Sequence, residues 1–190
     1  MRKVTYTMSV SLDGFIEAVN GPDDWAYPDA ELHRHFNERE AIIDTFLYGR
    51  RMYETMASYW PTADENLSAP VYEREYALIW KSKPKVVFSR TLDQVAWNSR
   101  LVRGDIAAEV NRLKKQPGND LSVSGAEIAS SFMRLDLIDE YSLYIHPVIL
   151  GGGKPMFPEL AGMLKLRLVE NHTFGSGVVL LRYQPIRSVK

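Results

Sequence analysis

The sequence predicts an α/β fold: a mostly parallel central sheet with helices on both faces and an antiparallel edge at the C-terminus. Three observations carry this. Between residues 4 and 135, short apolar runs of strand length alternate with segments that are apolar every three or four positions. After residue 140 the helical spacing stops, and strand-like runs follow one another across Gly-rich turns. No linker, repeat or low-complexity tract divides the 190 residues, so they are expected to form one domain, 1–190.

The elements follow in order. "KVTYTMSV" alternates, with Val4, Tyr6, Met8 and Val10 on one side and Thr5, Thr7 and Ser9 on the other, as a central strand does. "SLDGF" turns out of it, and "NGPDDWAYPD" is loop. Leu32, Phe36 and Ile43 mark the apolar face of a helix. "IDTFLYG" is the second strand; a short helix and the loop "PTADENLS" come next. "APVYEREYALIWKS" is an amphipathic helix, "KPKVVFS" a strand, and "AWNSRLV" a short strand or loop. Asp105 is a fitting N-cap for a helix bearing Ile106, Val110 and Leu113. "QPGND" ends that helix, "LSVSG" is a strand, and Ile128, Phe132 and Leu135 mark another helix. "EYSLYIHPVIL" is a long strand broken by "GGGKP", and "LRLVENHTF" with "VVLLRYQP" closes the chain as a hairpin.

Composition narrows the function classes. Lys plus Arg number 23 against 24 Asp plus Glu, a balance that gives no electrostatic case for nucleic acid or an anionic membrane as partner. There is no cysteine, which removes disulfides, thiolate nucleophiles and Cys-ligated zinc. No stretch has the length of a signal peptide's apolar run or of a membrane span, so the expected location is the cytoplasm.

In open parallel sheets, ligands bind beyond the carboxyl ends of the strands. Three such ends look alike here: Gly49-Arg50-Arg51 after "TFLY", Ser89-Arg90-Thr91 after "KVVF", and Ser124-Gly125-Ala126 after "LSV". Each sets small or cationic residues where free backbone N–H groups and the positive end of a helix favour an anion. Arginine grips phosphate with two parallel hydrogen bonds, and hydroxyls fill the remaining acceptors. Three junctions on one sheet point to a ligand with several phosphates, such as a dinucleotide. Other constellations fail. The G-x-G-x-x-G fingerprint is absent, Lys154 of "GGGKP" is followed by Pro155 instead of the Ser or Thr of a Walker loop, and "SVSGA" lacks the first Gly of a nucleophile elbow. His33 and His35 stand two apart on a helix and face apart, Asp23-Asp24 reads as a turn, and His146 and His172 read as structural, so no metal site is expected.

The ordered set "TYTMSVSLDGFI", "YGRRMYETM", "VVFSRTL", "VSGAEIASSF" and "LYIHPVILGGGKPMFPEL" spans nearly the whole chain. It resembles the dihydrofolate reductase fold as used in the reductase domain of bacterial riboflavin biosynthesis (the RibD C-terminal domain), in its stand-alone members. The resemblance implies a dihydrofolate reductase-like sheet and an NADPH-dependent reductase. It places Gly49, Arg50, Arg51 and Met52 on the phosphate side of the cofactor, and Ser89, Arg90 and Thr91 at the 2′-phosphate. It places Ser124, Gly125, Ala126, Glu127 and Ile128 under the pyrophosphate and nicotinamide, with Ser9 and Ile16 flanking the carboxamide. Phe15 stands where the riboflavin reductase usually carries Lys, and "RRMYETMASYWP" replaces its Asp-x-Pro-x-Leu stretch. Trp25 and Pro28 match the Trp-x-x-Pro of dihydrofolate reductase, but Ala30 occupies the position of its carboxylate, with Asp29 and Glu31 on either side.

The expected function is therefore NADPH-dependent reduction of a small planar heterocycle, pteridine- or pyrimidine-like. The proton comes from Asp13, Asp29 or Glu31, or from an ordered water. Trp25 and Tyr53, together with Tyr27 and Trp60, are candidates to stack on the heterocycle. The alternatives are a broad reductase of other C=N, C=O or quinone groups, and a nucleotide-binding protein without catalysis. The antiparallel C-terminal edge needs covering, which predicts a homodimer through that region.

Overall fold

The computed structural model describes residues 1–20 and 23–187. Gly21 and Pro22 of the expected loop "NGPDDWAYPD" lie outside the described residues. Among the described residues, ten strands and five α-helices run in the order β1 (Val4–Ser11), β2 (Phe15–Ala18), α1 (Ala30–Ala41), β3 (Thr45–Gly49), α2 (Arg50–Ala63), α3 (Val71–Ser82), β4 (Lys85–Phe88), β5 (Ser99–Val102), α4 (Ile106–Lys114), β6 (Leu121–Ser124), α5 (Ala126–Arg134), β7 (Glu140–His146), β8 (Gly153–Pro155), β9 (Leu166–Thr173) and β10 (Val179–Pro185), with a single 3-10 turn at Asp23–Ala26 before α1. Eight strands form the main sheet in the order β5-β4-β3-β6-β1-β7-β10-β9. The first six are parallel; β10 then pairs antiparallel with both β7 and β9, giving the antiparallel edge that the change of pattern after residue 140 predicts.

Strand alternation decides which layer each residue joins. Val4, Tyr6 and Val10 of β1 pack with Leu47, Val123 and the α5 face Ile128, Ala129 and Phe132. Phe46 and Tyr48, one step out of phase with Leu47, pack on the opposite face with Trp80 and Val87. A third cluster joins Leu32 of α1 to Tyr144, Phe174 and Leu180. Phe132 is fully buried and meets Phe88 edge-on at 5.6 Å. At the antiparallel end, buried Glu140 accepts from Arg182 Nη2 at 2.6 Å and from Gln184 Nε2 at 3.1 Å, and Arg182 also pairs with Glu170. That network ties β7, β10 and β9 together.

The helix starts follow their caps. Asp29 accepts from Leu32 N at 2.8 Å to open α1, and Asp105 accepts from Ala108 N at 3.1 Å to open α4. Four expectations need correction. Ile43 lies beyond the C-cap Ile42 of α1 and is buried in the second cluster instead of extending the helix face. The helix after the second strand is not short: α2 continues through Pro61 to Ala63, because a proline's fixed φ is compatible with a helical turn at the loss of one hydrogen bond. Leu135 caps α5 half-exposed, and the apolar face passes instead to Leu137 and Ile138. Finally, "GGGKP" is not only a break. Gly153–Pro155 pairs antiparallel with Phe15–Ala18 as a separate two-stranded sheet. A Cβ at Gly153 would come within 1.9 Å of the Glu17 carbonyl oxygen, and its φ is +142°, so this close pairing requires glycine.

Candidate functional site

The strands β1, β3 and β6 end together, and a cleft of about 310 Å³ opens beyond them. Gly49 to Met52 enter it from the first junction, Gly125 to Ile128 from the third, and Ile16 from β2. These nine residues are all among those that the family resemblance places at the cofactor. Gly49 is the N-cap of α2 and Gly125 that of α5, and neither helix has a side-chain cap hydrogen bond. Both helices therefore present uncapped N–H groups and the positive end of the dipole at the cleft. By contrast α1 and α4, which do not open on it, are closed by Asp29 and Asp105.

The glycines have a steric reason to be there. A Cβ at Gly125 would sit 3.0 Å from Met52 Cβ, with φ at +105°, and one at Gly49 would touch Ile128 at 3.4 Å. The two helix starts are thus nested against each other, and their separation is set by the missing side chains.

The cations of the cleft are loosely held. Arg51 Nη1 reaches Glu17 Oε2 only at 3.5 Å and its side chain is 73% exposed. Lys154 Nζ lies 3.8 Å from Glu17 and 4.0 Å from Glu127. Exposed pairs of this kind contribute about 0–1 kcal/mol, so they exchange readily for a bound anion. Arg50 is better tied: its Nε donates to Glu54 at 2.9 Å and its Nη1 to Thr91 Oγ1 at 3.0 Å. The second bond brings the Ser89-Arg90-Thr91 junction to the first one. Ser89 Oγ accepts from Thr91 N and Leu92 N, shaping that turn, while Arg90 stands exposed. None of these three residues lines the cleft itself; they flank its edge through Arg50.

Several predicted residues sit elsewhere. Met8, not Ser9, faces the cleft, because successive β1 side chains point to opposite faces. Ser124 ends β6 half-buried, beside the cleft and not in its wall. Tyr53 is 7% exposed, inside the second core cluster. Its hydroxyl accepts from Ala96 N at 2.8 Å, so it anchors the loop before β5 and is not available to stack on a substrate.

The three candidate acids are spread apart. Asp13 accepts from Ser11 Oγ at 2.6 Å, Gly151 N at 2.8 Å and Leu150 N at 3.1 Å. The Ser11 bond, with help from the backbone N–H groups and against a desolvation effect, holds its carboxyl below the usual carboxylate range. Asp13 is therefore an ionised acceptor that pins two chain crossings, which corrects its candidacy as a proton donor. Glu31 is exposed and accepts from Gly175 N at 3.0 Å in the β9–β10 turn, away from the cleft. Asp29 caps α1, four residues after Trp25, which is half-buried and meets the His146 ring edge-on at 5.5 Å.

Sequence reasoning missed Met8, Glu17, Thr55 and Lys154 as cleft residues. Lys154 had a visible signal, since a lysine after three glycines is poorly explained by turn chemistry alone. Among the described residues no group of three or more His, Asp or Glu side chains could hold a metal ion, and no helix is long and apolar enough to cross a membrane.

Comparison with known proteins agrees with this architecture. The Bacillus subtilis (strain 168) protein YyaP, itself uncharacterized, is 39% identical over 183 residues, covering 96% of this chain and 94% of that protein. A Shewanella sp. PV-4 protein described as belonging to riboflavin biosynthesis has a solved structure with a TM-score of 0.77 at 24% identity, covering 97% of this chain and 99% of that one. Enterococcus faecalis dihydrofolate reductase, solved with NADP(H), gives a TM-score of 0.61 at 13% identity over 96% of each chain. The fold is thus dihydrofolate reductase-like. The model of the RibD C-terminal domain matches residues 2–180, and the chain belongs to that family.

Proposed function

We propose that this protein is an NADPH-dependent reductase of a small planar heterocycle, pteridine- or pyrimidine-like. One observation carries the reading: two uncapped helix starts and the cations Arg50, Arg51 and Lys154 converge on one cleft at the carboxyl end of the sheet. That donor set suits a pyrophosphate. Enterococcus faecalis dihydrofolate reductase, of the same fold, was solved with NADP(H). Exposed Arg90 and Thr91, joined to the cleft by Arg50, suit a further phosphate at the adenosine end and so favour NADPH over NADH. Met8, Ile16, Met52 and Ile128 give the cleft an apolar wall for the nicotinamide.

When bound, the nicotinamide supplies the hydride. The protein's part is to hold the ring beside the substrate, exclude water and deliver a proton. Asp13 is fully engaged by three donors and Glu31 is turned to Gly175, whereas the α1 cap bond from Leu32 N engages only Oδ1 of Asp29; the proton is therefore assigned to Asp29 acting through an ordered water, or to that water alone. The outermost strand β9 is exposed along most of its length, which supports a homodimer through the C-terminal edge; light scattering tests it. A cytoplasmic setting fits the absence of cysteine.

The test is NADPH oxidation, followed by loss of nicotinamide absorbance, with dihydrofolate, 5-amino-6-ribosylaminouracil phosphate and a simple quinone as acceptors. Turnover with a heterocycle supports the reading. Turnover with the quinone alone favours the broad reductase, and tight NADPH binding without oxidation by any acceptor favours a non-catalytic nucleotide-binding protein.

A further inference from the structure

We propose that a polar cavity beneath the last turn of α1, at the amino end of the sheet, is a separate small-molecule site that takes an organic ammonium ion between Glu40, Ser122 and Thr5. The proposal stands apart from the reductase reading and does not depend on it.

The cavity is about 430 Å³, within the ~300–1,000 Å³ typical of small-molecule pockets. Its floor is the sheet face that α1 covers, and a covered face is ordinarily apolar. Here two polar rows cross it in register: Ser122, Thr5 and Glu140, then Thr7, Ser142 and Arg182. They lie between the cluster of Phe46, Tyr48 and Trp80 and that of Leu32, Tyr144 and Leu180. The opposite face of β1 follows the apolar rule, with Val4, Tyr6 and Val10 in the core. Packing alone does not explain the hydroxyls, and such local departures mark functional sites.

Two atoms of the lining residues lack partners. Ser122 is 1% exposed, and its Oγ and Glu40 Oε2 are sealed from solvent without a hydrogen bond. The Ser122 hydroxyl is near enough to act on the Glu40 carboxyl, yet the two do not bond. Leaving such atoms unpaired is costly, most of all for a charged group. The neighbouring groups do not relieve the carboxylate. Lys83 Nζ donates to Ala41 O at 2.7 Å, and Arg39, whose charge reaches Glu40, makes no bond to Oε2. Arg182 is held by Glu140 and Glu170. Tyr48 and Tyr76 face Glu40 with phenols kept protonated, chiefly by burial.

Charge decides the ligand class. Among the described residues two arginines, Arg39 and Arg182, line the cavity against three carboxylates, Glu40, Asp120 and Glu140. The C-terminal end of α1 adds the negative end of its dipole. Burial pushes Glu40 up to about 7, as befits a carboxylate short of counter-charge. An ammonium group supplies that charge and three donors, matched by Glu40 Oε2, Ser122 Oγ and the hydroxyl of Thr5, the register partner of Ser122. Phe36, Ile43 and Tyr144 give an apolar wall for the body of the ligand. A metal ion fits less well, since no group of three or more His, Asp or Glu among the described residues could hold one.

The test uses the full chain, n-butylamine as the probe, n-butanol as its neutral isostere and potassium chloride at matched ionic strength. The backbone amide signals of Thr5, Thr7, Ser122 and Ser142 are followed by NMR, and the Glu40 carboxyl carbon is titrated with and without the amine. The expected result is saturable shifts at those amides with n-butylamine and none with n-butanol or potassium chloride. The amine should also move the Glu40 titration to lower pH, because a bound cation favours the carboxylate. Glu40→Gln should weaken n-butylamine about 10- to 100-fold, the loss of a hydrogen bond to a charged group, and Ser122→Ala about 3- to 10-fold. Neither variant should lower the urea midpoint of the unliganded protein, since each removes an unpartnered buried group. A lowered midpoint in both would make them structural residues and overturn the assignment. The proposal is equally overturned if n-butylamine leaves the four amides unmoved, so that the cavity holds water alone, if n-butanol or potassium chloride shifts them as much, or if Glu40→Gln binds the amine as well as the wild type.

Discussion

At the amino ends of the strands, Arg2, Lys83, Lys85, Arg100 and Arg112 line a cavity of about 850 Å³, more than twice the volume of the cleft at the carboxyl ends. Every one of those cations is already satisfied. Lys83 donates to Ala41 O at 2.7 Å, Lys85 to Lys83 O at 2.8 Å and Trp97 O at 3.0 Å, and Lys85 also sits 4.0 Å over the Trp80 ring. Arg100 and Arg112 share Glu109, and Arg2 bonds Thr45 and the Asn119 carbonyl. At the carboxyl ends, Arg51 and Lys154 reach carboxylates only at 3.5 to 4.0 Å, and two helices begin without side-chain caps. The larger cavity is a structural seam where loops are stitched together by cations; the smaller one has hydrogen-bonding capacity to offer a ligand. Unsatisfied donors, and not volume, distinguish the site.

The largest effect that can break this comparison is removal of the clamp. Arg50→Ala with Arg51→Ala should weaken NADPH by on the order of 10²–10⁴-fold, because two charge-assisted hydrogen bonds to phosphate disappear at once. Lys83→Ala and Arg100→Ala at the other end should leave the affinity within about twofold, since surface substitutions away from a site have small effects. Calorimetric titration reads both, and equal losses at the two ends would erase the distinction. Asp29→Asn keeps an N-cap, because asparagine caps as well as aspartate, and should lower kcat by about 10²–10⁴-fold with NADPH affinity unchanged. Wild-type turnover in that variant would assign the proton to water alone.

Arg90→Ala sharpens the comparison within the carboxyl end. NADPH should weaken by about 10- to 100-fold and NADH hardly at all. Equal losses for both would remove this loop from the 2′-phosphate. Gly125→Ala tests the nesting of the helix starts. Its positive φ and the 3.0 Å approach to Met52 should destabilise the fold by about 1–3 kcal/mol in urea, while Gly104→Ala, with nothing within 4 Å of its added Cβ, should be nearly neutral.

The smallest effect lies in a third cavity, lined by Glu40, Ser122 and the Gly118–Asp120 turn. Burial raises Glu40 to about 7, against the nearby Ser122 hydroxyl and the charges of Lys83 and Arg39. Its folded value exceeds the ordinary 4.5, so the folded state binds more protons in between, and stability falls as pH rises from about 4.5 to about 7 and then levels. Its side chain is half-buried by area although Oε2 is sealed, so the change should be only on the order of 1 kcal/mol. Glu40→Gln should flatten that part of the pH–stability curve, measured by urea unfolding.

How legible all this was depends on sequence distance. Gly49–Arg51 and Gly125–Ala126 could be singled out because a strand end, a glycine and a helix start are neighbours in the chain and impose their own local chemistry, whereas Met52, Glu127 and Ile128 came only with the family resemblance. Met8 against Ser9 was not readable: alternation separates the two faces, but which face meets the cleft depends on the β6-β1-β7 strand order. Asp13 looked like a candidate acid because its partners Leu150 and Gly151 are 137 and 138 residues away. The β2–β8 pairing was hidden for the same reason, with four residues meeting three across a gap that no local period reports. Tyr53 failed differently, since an aromatic after two arginines reads equally as ligand wall or core, and only the bond to Ala96 decides.

The most direct measurement of the central claim is a crystal structure of the protein soaked with NADPH. The pyrophosphate should lie between Gly49–Met52 and Gly125–Ile128, held by Arg50 or Arg51, with the 2′-phosphate at Arg90 and Thr91. Density for the dinucleotide in the amino-end cavity beside Lys83 and Arg100, or none at the carboxyl-end cleft under saturating NADPH, would contradict the account.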